Sequence, residues 1–169
     1  MKKLVALLLS LCLLGSVAFA AELNWADAEE TASQIEGGFQ DLAEVNAKIW
    51  VPAVLKAVEL TDEDKENGYI AYFAPEDESA AVAIQYVDVE GMTLEQYEAE
   101  LKEDASVSEI EAGTVNGIPA LSYMIKEKDT AAVAFTTEQG YILEVAVAPM
   151  SDEGFAATAA FIISSIQSK

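Results

Sequence analysis

The feature that most constrains this fold is a β-hairpin predicted around residue 116. Asn116 and Gly117 stand between two β-like runs, one ending at Val115 and the other beginning at Ile118. An Asn-Gly pair supplies the positive φ angles that a two-residue type I′ turn needs, so it predicts a tight hairpin. Pro119 has no N–H to donate to a β-ladder, which places it at a strand start or on a sheet edge.

Two further β-like runs, at residues 130–136 and 141–148, extend the hairpin into an antiparallel meander. Bulky and small side chains alternate along these strands. The bulky set is Leu121, Tyr123, Ile125, Val133, Phe135, Tyr141, Leu143, Val145 and Val147, and the small set is Ala120, Ser122, Ala132, Ala134, Ala146 and Ala148. Because alanines replace the polar residues that would face water, we expect a sheet covered on both faces. The terminal helix, at residues 152–166, is predicted to lie on the alanine-rich face.

Residues 1–20 have the pattern of an export signal. Lys2 and Lys3 precede an apolar run at residues 4–14, and Ala18-Phe19-Ala20 forms an A-x-A cleavage site. We expect cleavage after Ala20, a secreted or extracytoplasmic protein, and no stable membrane insertion after cleavage. The alternative is that the segment is retained as an anchor.

The rest of the chain is predicted to hold an N-terminal helix within residues 21–38 and a single domain at residues 39–169. A domain of this length can bury an adequate core. Within it, Thr93 and Gln96 have the spacing of a capping box, which predicts a helix start. Asp152 is placed to begin the terminal helix.

The composition excludes several kinds of chemistry. The chain has no histidine, its nine basic residues are all lysine, and its one cysteine, Cys12, lies in the predicted signal. A Ser-His-Asp or Cys-His triad, a histidine zinc site and a disulfide are therefore excluded, and no cofactor is predicted. The net charge of −21 disfavours nucleic acid and anionic lipid, and favours cations or basic partners. The partner is left open as a protein or a small ligand, and the oligomeric state is not indicated.

Three motifs carry a resemblance to a known family. They are Ile49-Trp50-Val51-Pro52, Asn116-Gly117-Ile118-Pro119-Ala120-Leu121-Ser122-Tyr123, and Ser164-Ser165-Ile166. Over residues 39–167 the chain resembles the PsbP-like α/β/α sandwich superfamily. The resemblance implies an α+β fold in which an antiparallel sheet of about six to eight strands is covered by helices on both faces. That superfamily has no common catalytic set, so the resemblance implies a binding or accessory role and no active-site residues.

Three functions follow from these patterns. The first is a secreted, non-catalytic binding or accessory protein. The second is a carboxylate-based hydrolase, since paired acids can work without histidine, with Glu109, Glu111 and Glu144 as candidates. The third is weak divalent-cation binding by the acidic segments at residues 62–66 and 76–78.

Two further observations bear on these hypotheses. The segment that starts at Asp62 departs from an EF-hand, because Asn67 stands in place of the invariant glycine and Phe73 in place of the bidentate glutamate. Aromatic residues gathered around one open cleft would favour ligand binding, whereas buried ones would indicate core packing. The candidates are Trp25, Trp50, Tyr69, Tyr72, Tyr86 and Tyr97.

Overall fold

The computed structural model describes residues 22–88 and 90–169, which form an α+β fold built on one large sheet. The strands are β1 (Glu22–Leu23), β2 (Gly37–Leu42), β3 (Ala47–Pro52), β4 (Lys56–Ala57), β5 (Tyr69–Ala74), β6 (Ala81–Asp88), β7 (Val107–Val115), β8 (Ile118–Ile125), β9 (Thr130–Thr136), β10 (Ile142–Ala148) and β11 (Gln167–Ser168). The helices are α1 (Trp25–Ala32), α2 (Asp62–Glu66), α3 (Leu94–Glu103) and α4 (Glu153–Ser164).

The large sheet has eight strands in the order β1-β7-β8-β9-β10-β6-β5-β4, and the small sheet has the order β11-β3-β2. Neighbouring strands are antiparallel except for the two-residue β1, which runs parallel to β7. Side chains from α1, α4 and the small sheet share one core with the large sheet, while α3 packs over a second core on the other face. The predicted α+β sandwich, with helices on both faces of a sheet of six to eight strands, is confirmed.

The Asn116-Gly117 hairpin is confirmed and has a second role. Both residues have positive φ, 51° and 79°. The Asn116 amide nitrogen donates hydrogen bonds to the carbonyl groups of Ser164 (2.8 Å) and Ile166 (2.7 Å). Its amide oxygen accepts a hydrogen bond from the Trp25 N–H at 2.8 Å. The turn therefore holds the end of α4 and the start of α1.

The predicted placement of the terminal helix was wrong. Helix α4 lies against the bulky side chains, where Val133, Val145 and Val147 share a core with Ile162 and Ile163. Of the small residues, Ala132, Ala134 and Ala146 lie beneath α3 instead, whereas Ala120 lies in the core shared with α4. Helix α4 supplies its own small residues, Ala156 and Ala159, which are buried in this packing.

The register of β8 explains this difference. Leu121 pairs with Ala134, and Tyr123 pairs with Ala132, so these two bulky side chains of β8 lie on the same face as the β9 alanines. Paired residues on neighbouring strands point to the same side of a sheet. Each face therefore combines bulky and small side chains, and the sheet has no purely alanine-lined face.

The helix starts were predicted more accurately than the surrounding coil. Thr93 forms the predicted capping box with Gln96, and the Asp152 side chain accepts the Phe155 N–H at 3.0 Å. Helix α1, at Trp25–Ala32, occupies only part of the predicted range 21–38.

The N-terminal part of the described chain joins the main sheet. Strand β1, which precedes α1, pairs with Thr114 and Val115 of β7. The predicted signal at residues 1–20 lies outside the described residues, so its cleavage stays a prediction. Over residues 22–88 and 90–169, no helix has the length and apolar character needed to cross a membrane.

Candidate functional site

Glu144 is a buried carboxylate surrounded by neutral hydrogen-bond donors. It lies on β10 and is only 4% exposed. The Gln85 side-chain amide donates to Oε1 at 2.8 Å, and the Tyr123 hydroxyl donates to Oε2. The Tyr97 hydroxyl lies 3.4 Å from the same Oε2 and 2.9 Å from the Tyr123 hydroxyl. We call these four residues the Glu144 cluster.

Strand register places the Glu144 cluster beneath α3. Glu144 pairs with Ala134 of β9, and Ala132, two residues earlier on β9, pairs with Tyr123 of β8. The phenol of Tyr123 therefore reaches across β9 to the carboxylate, over Ala132 and Ala134, whose side chains are single methyl groups. Tyr97 of α3 closes the cluster from above.

Burial and charge in the cluster favour the protonated form of both phenols. Burial, reinforced by the negative charge of Glu144, raises the pKa of Tyr97 to about 12. The same two causes, with burial again the larger, raise the pKa of Tyr123 above its usual range. The ion pairs of the described residues, Lys102–Glu98 and Lys169–Asp41, do not involve Glu144. Neutral donors thus satisfy this carboxylate where a cation would otherwise be expected.

The structure does not bring the three candidate catalytic acids together. Ala120 of β8 lies in the core beneath α4, and Ser122, two residues further along, lies on the same face. Glu111 pairs with Ser122 and therefore also lies on the α4 face, whereas Glu144 faces α3. Three strand spacings separate β7 from β10, which amounts to about 14 Å. Paired catalytic carboxylates lie about 5 to 10 Å apart on a shared cleft. Glu109 is exposed at a register shift of β7, with a φ of 54°.

The acidic segments are organised by their own hydrogen bonds. Asp64 completes a capping box with Thr61, whose hydroxyl and N–H lower the pKa of the carboxyl. Asp77 accepts the Ser79 N–H at 3.1 Å and its hydroxyl at 2.6 Å. Among the residues described by the structure, no group of three or more acidic side chains is arranged to hold a metal ion. Weak cation binding stays a prediction.

The candidate aromatic residues are divided among separate packing contacts. Trp50 is buried, and Trp25 lies 6.2 Å from it and 5.5 Å from Phe39, measured between ring centroids. Tyr86 packs edge-to-face on Tyr141 at 5.6 Å. Tyr97 belongs to the Glu144 cluster beneath α3. These contacts lie in separate places and not around one cleft, and the remaining candidates, Tyr69 and Tyr72, are partly buried on β5.

An open groove of about 340 Å³ lies on another part of the surface. It is formed by the turn after β3, the loop between β5 and β6, and the start of α4. Apolar residues make up much of its wall, and Asp77 and Asp152 also line it. The apolar residues are Ile35, Pro52, Val54, Leu55, Pro75, Ala80 and Phe155. We call this surface the Val54 groove.

Val54 is the feature of this groove that the sequence did not reveal. It is 65% exposed, more than the other exposed large apolar residues of the described chain, Val58 at 46% and Phe39 at 40%. The turn from Pro52 to Leu55, closed by a 3.0 Å backbone hydrogen bond, directs Leu55 inward and leaves Val54 outside. A run of apolar residues with no periodicity does not show which side chain is buried and which is exposed.

Comparison with known proteins identifies the type of fold. No protein-family model matches the chain, and no curated protein matches it. Among solved structures, the chain is similar to cyanobacterial PsbP (CyanoP) from Synechocystis sp. PCC 6803, with a TM-score of 0.54 and 10% sequence identity. The match covers 79% of this chain and 93% of that chain. The fold is therefore PsbP-like, as the three sequence motifs implied.

Proposed function

We propose that this protein is a non-catalytic binding or accessory protein that acts outside the cytoplasm and uses the Val54 groove as its contact surface. The observation that carries the proposal is the exposure of Val54, 65%, at the wall of a groove of about 340 Å³. A concave surface with apolar residues in its wall is typical of sites where a partner binds, and here Val54 extends that wall into solvent. The described chain otherwise keeps nearly all its large apolar residues covered.

The position of Glu144 supports binding over hydrolysis. It was the candidate acid within an apolar strand, and it accepts hydrogen bonds from Gln85 and Tyr123 beneath α3. A general acid must reach the leaving group of its substrate. A carboxylate that is 4% exposed and held by neighbouring donors instead serves to fix the core.

The extracytoplasmic location is supported by the sequence pattern of residues 1–20, with its basic start, apolar run and A-x-A site. The composition agrees with this location, because Cys12 would leave with the signal and no other cysteine depends on a reducing compartment.

Two matched substitutions test the proposal. Val54→Asn and Val58→Asn each replace an exposed valine by a neutral polar residue, but only Val54 lines the groove. Tagged wild-type protein and both variants are used to capture proteins from the cell-envelope fraction of the producing organism. We expect one partner to be retained by wild type and Val58→Asn and lost by Val54→Asn. Capture that is equal for all three proteins, or absent in all, contradicts the proposal.

A further inference from the structure

We infer that the partner of the Val54 groove is a protein segment that presents an apolar side chain flanked by lysine or arginine. This inference rests on the proposed function and adds the chemistry of the partner. Two features of the groove carry it: an apolar wall, with Val54 exposed at 65%, that would receive the apolar side chain, and carboxylates beside that wall that would receive the basic ones.

The carboxylates come from two elements that meet at the groove. Asp77 belongs to the loop between β5 and β6, and Asp152 precedes α4. Both line the groove. Exposed acids adjoin them in the chain, Glu76 and Glu78 on one side and Glu153 on the other. An apolar surface with acidic residues from two sides is complementary to a segment that has an apolar centre and basic flanks.

The groove carboxylates are held in place by local hydrogen bonds. Asp77 accepts from the N–H and hydroxyl of Ser79, which lower the pKa of its carboxyl. Asp152 caps α4 by accepting the Phe155 N–H. A carboxylate offers about four acceptor positions, so these bonds leave capacity for an incoming ammonium or guanidinium group.

The positive charge nearest to Val54 in the sequence does not line the groove. Lys56 donates from its ammonium to the Ala53 carbonyl at 2.6 Å and lines a neighbouring depression instead. Among the residues that the structure describes, the Val54 groove itself is lined by Asp77 and Asp152 and by no lysine.

The charge of the whole chain argues against other occupants. At a net charge of −21, a second copy of this chain would bring like charge to the groove. The same repulsion acts against anionic lipid and nucleic acid. A basic segment of a different protein is attracted at long range and meets the apolar wall on contact.

The test uses amide variants that keep the hydrogen bonds and remove the charge. Asp77→Asn and Asp152→Asn are combined, and asparagine caps helices about as well as aspartate. Asp104→Asn is the matched control, because Asp104 accepts the Ser106 N–H at 2.8 Å and its hydroxyl at 2.7 Å, as Asp77 does with Ser79. Asp104 follows α3, which covers the opposite face of the sheet.

The probes are three short fluorescent peptides with leucine and valine at the centre and lysine, glutamine or glutamate at the flanks. Binding is measured by fluorescence anisotropy at low salt and at high salt. We expect the lysine peptide to bind wild type and Asp104→Asn with similar affinity, and the double variant about tenfold more weakly. High salt should reduce that difference, because exposed charges are screened.

Several results would overturn the inference. Equal affinity of the three peptides for wild type would show that charge plays no role, and an equal loss in Asp104→Asn would show that the groove is not the site. Absence of peptide binding, when Val54→Asn still abolishes partner capture, rejects the basic partner and leaves the proposed function standing. If peptide binding and the loss of partner capture in Val54→Asn are both absent, the basic partner and the proposed function are rejected together.

Discussion

Tyr123 of β8 donates a hydrogen bond to Glu144 of β10 across the intervening strand β9. The bond exists because β9 presents alanines at positions 132 and 134, which leave room for a phenol to lie over the strand. It joins two strands that are not neighbours, and Tyr97 connects the same carboxylate to α3. We infer that the Glu144 cluster fixes α3 to the sheet.

Removing the Tyr123 hydroxyl should lower stability. Tyr123→Phe leaves the buried carboxylate short of one donor, which costs about 1 to 3 kcal/mol of unfolding free energy. The measurement is urea denaturation of both proteins. Tyr86→Phe is the control, because the Tyr86 hydroxyl bonds the Glu44 carbonyl at an exposed site, at 3.2 Å, and its loss should have little effect. Equal losses in the two variants would contradict the role of the cluster.

Stability should fall as the pH rises above about 10. A phenol in the unfolded chain loses its proton near pH 10, whereas the raised pKa of Tyr97, about 12, keeps the proton on the folded protein. The unfolded state then binds fewer protons than the folded state, so rising pH favours unfolding. This contribution is fully present below pH 10 and is lost as the pH passes through about 12.

Urea denaturation between pH 8 and pH 11 measures this dependence. Tyr97→Phe should show a shallower decline than wild type, because one phenol with a raised pKa is gone. A decline of the same slope in the two proteins would show that the alkaline sensitivity arises elsewhere.

A larger side chain in the space between β9 and α3 should lower the stability of the protein. Ala134 is fully buried beneath α3, so Ala134→Leu overpacks that core and lowers stability by about 1 to 3 kcal/mol. Thermal denaturation followed by circular dichroism measures the loss. Ala112→Leu on β7, where alanine is exposed, is the control and should change stability little. An unchanged melting temperature for Ala134→Leu would refute the close packing of α3.

The side-chain hydrogen bonds of Asn116 should stabilise the protein beyond the effect of its backbone conformation in the turn. Asn116→Ala removes the hydrogen bonds to Ser164, Ile166 and Trp25 and also places alanine at positive φ. Asn46→Ala places alanine at a similar φ, 49°, on an exposed residue. We expect Asn116→Ala to cost about 1 to 3 kcal/mol more than Asn46→Ala in urea denaturation. Equal costs would mean that only the backbone conformation matters.

The sequence predicted the local elements of the fold because their signals are local. Asn116-Gly117, Thr93 with Gln96, and Asp152 are each recognised by hydrogen bonds or φ angles within a few residues, and each was confirmed. The resemblance to the PsbP-like superfamily extended these predictions to the order of the elements. The alternation of bulky and small side chains predicted a sheet covered on both faces.

Long-range register was not available from the sequence. The alternation in β8 is the same whether Leu121 and Tyr123 pair with the alanines or with the bulky residues of β9. For this reason Leu121 and Tyr123 were assigned to the wrong face, and α4 was placed on the wrong side of the sheet. The partners of Glu144 depend on that register, and for this reason Gln85 and Tyr123 were missed. The Val54 groove joins three elements that are distant in sequence, which no local pattern indicates.

The most direct test of the account is photo-crosslinking from the groove. A photoreactive amino acid replaces Val54 in one protein and Glu100, an exposed residue of α3 on the opposite side, in another. Both proteins are irradiated in the producing cells, and covalent products are identified by mass spectrometry. We predict a specific adduct with one partner protein from position 54 and none from position 100. The same products from both positions, or no adduct from position 54, would contradict the assignment of the Val54 groove as the binding surface.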